Sequence, residues 1–331
     1  MTAQAGLLHS SDPALQSAVL GGLDQVEERL REVVRSSHPL LSASAAHLSE
    51  AGGKRFRPLL TLLAAQLGDP TLPDVLDAAV VVELTHLATL YHDDVMDEAD
   101  VRRGAQSANT RWTNTVAILT GDYLFARASD LTAGLGTEAT RLQARTFARL
   151  VEGQIAETAG PAEGQDPVDH HLQVLADKTG SLIATSARLG ALMAGAGPDD
   201  VATVAEYGEI VGVAFQLSDD LIDVLSESTE SGKTPGTDLR EGVATLPVLL
   251  LQQAEDADSR ELAALLAGDL GSDVDLAEAL RRLRAHPAVG QARQVLEQHA
   301  ARARDVAGRL PAGPARNALL LLPDYVLART G

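Results

Sequence analysis

From Pro73 to Asp97 the chain runs without a glycine or an interior proline, as a helical pattern that ends in His92-Asp93-Asp94-Val95-Met96-Asp97. A helix that long and that apolar must be packed on by other helices, which commits the chain to a helical domain. Composition agrees: 45% of residues are apolar but only 3% are aromatic, and the apolar part is mostly Ala, Leu and Val. Such a chain lacks the β-branched and aromatic alternation of strands. Ser11-Asp12-Pro13 reads as a helix start, with helical spacing to about Val34. Further helices are expected from the break at Ser36–Pro39 to Glu50, from Leu59 (opened by Pro58) to Leu67, and over 109–134, 137–158, 170–194 and 198–225. An apolar pattern resumes at Leu246–Gln253, and helices alternate with short breaks to Gly331. The reading is a single all-α domain over residues 1–331, with about ten to thirteen helices, no strand set, no repeat and no linker. Gly160–Pro167 and Ser226–Gly242 are the polar Gly/Pro loops long enough to be functional.

Charge and cysteine content exclude several function classes. The balance of 27 Lys and Arg against 46 Asp and Glu gives a net charge of −19, the wrong sign for a broad nucleic-acid face. A local basic pocket for one small polyanion is not excluded. With no cysteine, disulfides, thiolate metal sites and cysteine nucleophiles are ruled out. Residues 1–20 lack the features of a signal peptide, and no apolar run reaches the roughly 18–20 residues a membrane span needs. A cytoplasmic protein is expected.

Two acidic clusters carry the chemistry. Asp93 and Asp97 are four residues apart, so both carboxylates leave one helical face, at the helix end where anions are disfavoured. A divalent cation would reverse that cost, and Mg²⁺ in particular takes few carboxylates plus substrate phosphates. Alone, the cluster could equally be a solvated helix end. In Phe215–Asp223, however, Gln216, Asp219, Asp220 and Asp223 form a second polar stripe on an otherwise apolar helix. Two Asp-Asp-x-x-Asp segments far apart in sequence are hard to explain as surface. Facing each other across a bundle, they would hold several Mg²⁺ around a diphosphate.

Cations accompany them in an acidic chain. Gly52-Gly53-Lys54-Arg55-Phe56-Arg57-Pro58 carries three positive charges, and Arg102-Arg103-Gly104 follows the first acidic cluster by five residues. Lys178-Thr179-Gly180 and Lys233 add two more. Each could be a solvated side chain by itself, and His86, two turns before Asp93, could be a structural histidine. Together they suggest two diphosphates, one bound through metal and one by Arg and Lys alone.

These motifs, collinear over roughly residues 40–250, resemble the trans-isoprenyl diphosphate synthases (polyprenyl synthetases), and more closely the long-chain all-trans polyprenyl diphosphate synthases. Gly121-Asp122-Tyr123 and Gly236-Thr237-Asp238-Leu239 belong to the same match. The resemblance implies a helical bundle around a deep central cavity, a homodimer, and Mg²⁺-dependent head-to-tail condensation of isopentenyl diphosphate with an allylic diphosphate. It implies three Mg²⁺, with Asp93 and Asp97 as ligands of two, Asp219 of a third, and Asp94, Asp220 and Asp223 supporting. Arg102, Lys178 and Lys233 would grip the allylic diphosphate; Lys54, Arg57, His86 and Arg103 would hold isopentenyl diphosphate. Thr179 and Gln216 would face the developing cation, so that Lys178, Thr179, Gln216 and Arg102 are the implied catalytic residues. No protein nucleophile is needed, because pyrophosphate can remove the proton.

Two departures stand out. Val243 replaces a lysine common in relatives, and a common Gly-Glu segment reads Gly153-Gln154, with Glu157 a turn later. Product length is expected to follow the residues before the first acidic cluster. Ala88 and Thr89 are small, and Leu84 and Thr85 one turn deeper are not aromatic. Each turn adds about 5.4 Å, so two open turns imply a product beyond C20, roughly C30 to C50. Tyr123, Phe125 or Phe147 could supply the floor.

The alternatives are a farnesyl or geranylgeranyl diphosphate synthase of the same family, a terpene cyclase, a His-Asp metal phosphohydrolase, and a non-catalytic partner subunit. The phosphohydrolase leaves the second acidic cluster and Gly52–Pro58 unexplained, and a cyclase carries Asn/Ser/Glu at its second site. Asp93→Ala is expected to abolish condensation in a radiolabel incorporation assay; retained activity would assign the cluster a scaffold role.

Overall fold

The computed structural model describes residues 12–226 and 235–329. The described residues are almost wholly helical. In chain order they form α1 (Pro13–Val33), α2 (Pro39–Glu50), α3 (Phe56–Ala65), α4 (Pro73–Met96), β1 (Val101–Arg102), β2 (Ala105–Gln106), α5 (Ala108–Arg111), α6 (Asn114–Gly134) and α7 (Thr137–Ala159). There follow α8 (Pro167–Leu175), a π-helical turn (Ala176–Gly180), α9 (Ser181–Met193), α10 (Pro198–Leu225), α11 (Thr237–Arg240), α12 (Leu246–Gln252), α13 (Ala257–Leu266), α14 (Asp273–Ala285), α15 (Pro287–Ala307) and α16 (Pro314–Ala328).

The all-α reading holds, with local corrections. The helix expected over 109–134 is broken at Trp112-Thr113, where the Thr113 hydroxyl caps α6 by accepting from the Val116 N–H at 3.2 Å. The helix expected from Leu59 begins at Phe56, with Pro58 inside its first turn. The stretch 170–194 is α8 and α9 joined by the π-helical turn. Where no strand was expected, β1 and β2 pair antiparallel, with Arg102 opposite Ala105.

The helices cluster into two units. One comprises Met1–Arg149, Ser181–Gly208 and Val306–Leu321; the other Leu150–Gly180, Glu209–Asp305 and Leu322–Gly331. Four of their five boundaries fall inside α7, α10, α15 and α16, and the fifth falls where the π-helical turn meets α9.

In the first unit α4 is the central element. It is buried on nearly every side, from Val75 through Val80, Val81 and Val82 to Tyr91, because α1, α3, α6 and α9 all pack on it. The Tyr91 hydroxyl donates to the Ser44 carbonyl of α2, satisfying a polar group that would otherwise be stranded. In the second unit Val213, Leu217, Leu221 and Val224 of α10 form a core with Leu246 and Leu251 of α12 and Leu280 and Leu283 of α14. The apolar faces of α4 and α10 thereby fix the two acidic clusters to rigid helices.

Close packing is sharpest where α9 crosses α3. A Cβ added to Gly190 would lie 2.0 Å from the Thr61 carbonyl oxygen. The obstacle is backbone, so relief requires the helices to separate. Gly190→Ala is expected to lower stability by about 3 kcal/mol, read from the urea midpoint; an unchanged midpoint would mean that the two helices part freely.

Candidate active site

The basic groups of the first unit are organised by a carboxylate that the sequence motifs do not include. Glu83, on α4, is 1% exposed. Arg55 donates to it at 2.8 Å and Arg103 approaches within 3.6 Å. Arg55 is fully engaged: it also pairs with Glu27 of α1 and donates to the carbonyls of Ser49 (2.6 Å) and Gly52 (3.3 Å). Of the three charges in the Gly52–Pro58 loop, this one is structural. Arg103 donates to the Leu48 carbonyl at 3.1 Å and to that of Gly52.

Both arginines sit in left-handed backbone, Arg55 at φ 46° and Arg103 at φ 55°. Arg103 and Gly104 (φ 76°) form the two-residue loop of the β1–β2 hairpin, which needs positive φ at both positions. Gly53, at φ 140°, leaves room for the Arg103 guanidinium; its Cβ would lie 3.0 Å from the Arg103 Cζ.

Arg57 and His86 join this cluster. Burial, reinforced by Arg103 and opposed by Glu83, pushes Arg57 down to about 10, so it stays charged at neutral pH. Its Nε is buried with no hydrogen-bond partner, a donor aimed at something the chain does not provide. Burial and then Arg57, Arg103, Arg55 and Arg102 hold His86 well below the usual imidazole range, so it is neutral. Lys54 is exposed beside them. Positive charge thus exceeds the single buried carboxylate, and the cradle suits a small polyanion.

At the end of α4 the aspartates divide. Asp94 is fully buried and receives Arg102 at 2.6 Å on one oxygen and the Ala108 N–H at 3.4 Å on the other. Asp93 is half-buried, and Asp97, the helix cap, is exposed. Arg102 also reaches Asp97 at 3.4 Å. Burial disfavours its charge, but Asp94, then Asp97 and Asp93, raise its pKa above the usual arginine value.

The second cluster divides in the same way. Asp220, 3% exposed, accepts from His171 Nε2 at 3.0 Å and from Gln216 at 3.4 Å, and Gln216 in turn accepts from the Thr179 hydroxyl at 3.3 Å. Asp223 accepts the backbone N–H groups of Thr237 (3.1 Å) and Asp238 (3.2 Å), tying down α11. Asp219 pairs with Arg329, just past α16. The π-helical turn presents Lys178 and Thr179, and it lies so close to α7 that a Cβ on Gly153 would come within 2.8 Å of the Lys178 backbone nitrogen. Lys178 pairs with Glu157 at 2.5 Å, and Gln154 donates to the same carboxylate at 3.2 Å. Val243 is 42% exposed, and Lys233 lies outside the described residues.

Along α4 the chain-length positions differ. Thr89 is half-buried, whereas Ala88, Leu84 and Thr85 are completely buried, and Gln143 of α7 donates to the Thr85 hydroxyl. One turn reaches an open surface here, where the sequence suggests two. Tyr123 is tied to the Arg35 carbonyl at 2.6 Å. Phe125 and Phe147 stack on each other at 4.2 Å, with His92 at 5.7 Å from Phe125.

Among the described residues no three His, Cys, Asp or Glu side chains converge to enclose a metal ion by themselves. The donors that reach the surface, Asp93 and Asp97 in the first unit and Asp219 in the second, are hard carboxylate oxygens in small number. In each cluster that fits Mg²⁺, which completes its sphere with water and phosphate oxygens.

The polyprenyl synthetase family model matches residues 38–283. The chain belongs to the polyprenyl synthetase family. It is 50% identical to a nonaprenyl diphosphate synthase of Mycobacterium tuberculosis, over 97% of this chain and 96% of that protein. It is 36% identical to a heptaprenyl diphosphate synthase component 2 of Geobacillus stearothermophilus, over 95% of this chain and 97% of that one. Among solved structures, a geranylgeranyl pyrophosphate synthase from Corynebacterium glutamicum, complexed with calcium and isoprenyl diphosphate, superposes with a TM-score of 0.87 at 43% identity, covering 97% of this chain and 98% of that one.

The family motifs include Lys54, Arg57 and Arg103 but not Glu83, Glu27 or His171, which bear no motif and are found only by the side chains they meet. His86 supplies a test. Neutral when folded, it takes up a proton on unfolding below its ordinary pKa of 6.5, so it makes stability fall as pH falls. His86→Gln is expected to flatten that fall between about pH 6.5 and 5, by up to about 1.4 kcal/mol per pH unit. Urea midpoints across the range measure it; a difference from wild type that does not vary with pH would refute the assignment.

Proposed function

We propose that the protein is a Mg²⁺-dependent all-trans polyprenyl diphosphate synthase, condensing isopentenyl diphosphate head to tail with an allylic diphosphate. The observation that carries this reading is the cradle of arginines around Glu83, with its unpaired buried Arg57 Nε, in a chain of net charge −19. Such a cradle favours a metal-free diphosphate. Lys54, Arg57, His86 and Arg103 hold isopentenyl diphosphate, with neutral His86 offering a hydrogen bond without adding repulsion. Arg102, Lys178 and Lys233 take the allylic diphosphate. Asp94 and Glu157 set the positions of Arg102 and Lys178.

Asp93, Asp97 and Asp219 would hold Mg²⁺, three ions in all, which would supply charge to stabilise a departing diphosphate. The Thr179 hydroxyl, donating to Gln216, keeps its lone pairs for the developing allylic cation. A homodimer is supported by apolar side chains left exposed in each unit, Ile118 (42%) and Leu119 (58%) on α6, and Val151 (40%) and Ile155 (62%) on α7. Among the described residues no helix is long and apolar enough to cross a membrane.

We assign a product beyond C20, in the range of roughly C30 to C50. Half-buried, small Thr89 supports it, as does the likeness to a nonaprenyl diphosphate synthase. The Phe125–Phe147 pair is the proposed floor. Purified protein with Mg²⁺, farnesyl diphosphate and labelled isopentenyl diphosphate is expected to yield chelator-sensitive products of C30 or longer, and Phe147→Ala to lengthen them by at least one isoprene unit. Products ending at C15 or C20 would keep the reaction and refute the length, and no condensation would point to a partner-dependent subunit.

A further inference from the structure

The four polar side chains of the α10 stripe have unequal partners. Gln216 bridges Thr179 and Asp220; Asp220 is closed between Gln216 and His171; Asp223 is capped by two backbone N–H groups. Asp219 differs in its partner, a long charged side chain from just past α16. Arg329 places Nη2 on Asp219 Oδ1 and lays its guanidinium over the Phe215 ring at 4.4 Å. Phe215 is four residues before Asp219, one turn away on the same face of α10. The Arg329 side chain is only 11% exposed, yet its Nη1 is buried with no hydrogen-bond partner. A guanidinium left unsatisfied in this way is held by the carboxylate and the ring, and it gives up little when it leaves.

We propose that Arg329 is the internal counter-cation of the second acidic cluster: it occupies the Asp219 carboxylate in the metal-free enzyme and must withdraw before a divalent cation can bind there. The inference rests on the reading of Asp219 as a metal ligand. A guanidinium and a divalent ion cannot share one carboxylate oxygen at contact distance without strong repulsion. In the metal-free state the same pairing offsets the crowding of Asp219 beside Asp220 and Asp223 on one helical face. Arg329 therefore suppresses premature metal loading, and any metal affinity of the free enzyme is reduced by the fraction of time that it holds Asp219. A carboxylate engaged about nine-tenths of the time raises the apparent Kd about tenfold.

The test is Mn²⁺ titration of the full-length, substrate-free protein, with unbound ion followed by electron paramagnetic resonance. Arg329→Met is expected to tighten binding roughly three- to tenfold at one site. Arg329→Lys should stay close to wild type, and a chain ending at Ala328 should reproduce the gain if the methionine variant folds poorly. Asp219→Asn should weaken that site, and the double variant Asp219→Asn with Arg329→Met should bind no better than Asp219→Asn alone. Equal or weaker binding by Arg329→Met, or no Mn²⁺ binding by any variant, overturns the proposal. If Asp219→Asn weakens binding while Arg329→Met leaves it unchanged, only the role of Arg329 fails. If Asp219→Asn changes nothing, alone or in the double variant, the metal-ligand reading of Asp219 fails with it.

Discussion

A carboxylate in the middle of a buried helix dictates much of the first unit. Glu83 cannot remain ionised inside α4 without partners, since desolvating a carboxylate costs several kcal/mol. It obtains them from two loops distant in sequence, Arg55 before α3 and Arg103 on the β1–β2 hairpin. Both arginines accept left-handed backbone, at a cost of roughly 1–2 kcal/mol each, to reach it. The anchor therefore draws together the loop bearing Lys54 and Arg57 and the hairpin bearing Arg102, and the geometry of the cationic cradle follows from one buried negative charge.

A buried acid held by internal partners recurs through the site. In each acidic cluster one aspartate is buried and occupied internally, Asp94 by Arg102 and Asp220 by His171 and Gln216, while Asp93, Asp97 and Asp219 stay within reach of solvent. The buried member fixes a neighbouring group, and the reachable members can meet cations. Burial, reinforced by four guanidiniums, keeps the His86 imidazole neutral, so the cradle binds through polarity there and through charge elsewhere.

The sequence makes the helical class plain because α4 and α10 are long, uninterrupted and apolar, and the acidic clusters because their spacing repeats a helical face. Less is legible where tertiary contacts decide. Arg55 looks equivalent to Lys54 and Arg57 and is structural, since nothing in a basic loop says which charge finds Glu83. Trp112-Thr113 breaks a run that periodicity alone reads through, and the β1–β2 hairpin is too short to produce an alternating pattern. The π-helical turn at Ala176–Gly180 carries no compositional mark. His171 and Arg329 are single residues outside any motif, made relevant by which aspartate each one meets. The buried Thr85 and Ala88 show the same limit: small residues suggest space, and neighbouring elements fill it, Gln143 from α7 bonding the Thr85 hydroxyl.

The neighbourhood of Lys178 shows how two positions on one helical face can share a task. Gln154 stands where the family resemblance leads one to expect a carboxylate, yet Glu157, three places along α7, meets the lysine, and the Gln154 amide donates to it. A helix repeats its face every turn. A comparison made one position at a time would count the pairing as absent, whereas tallying each helical face as a unit finds it.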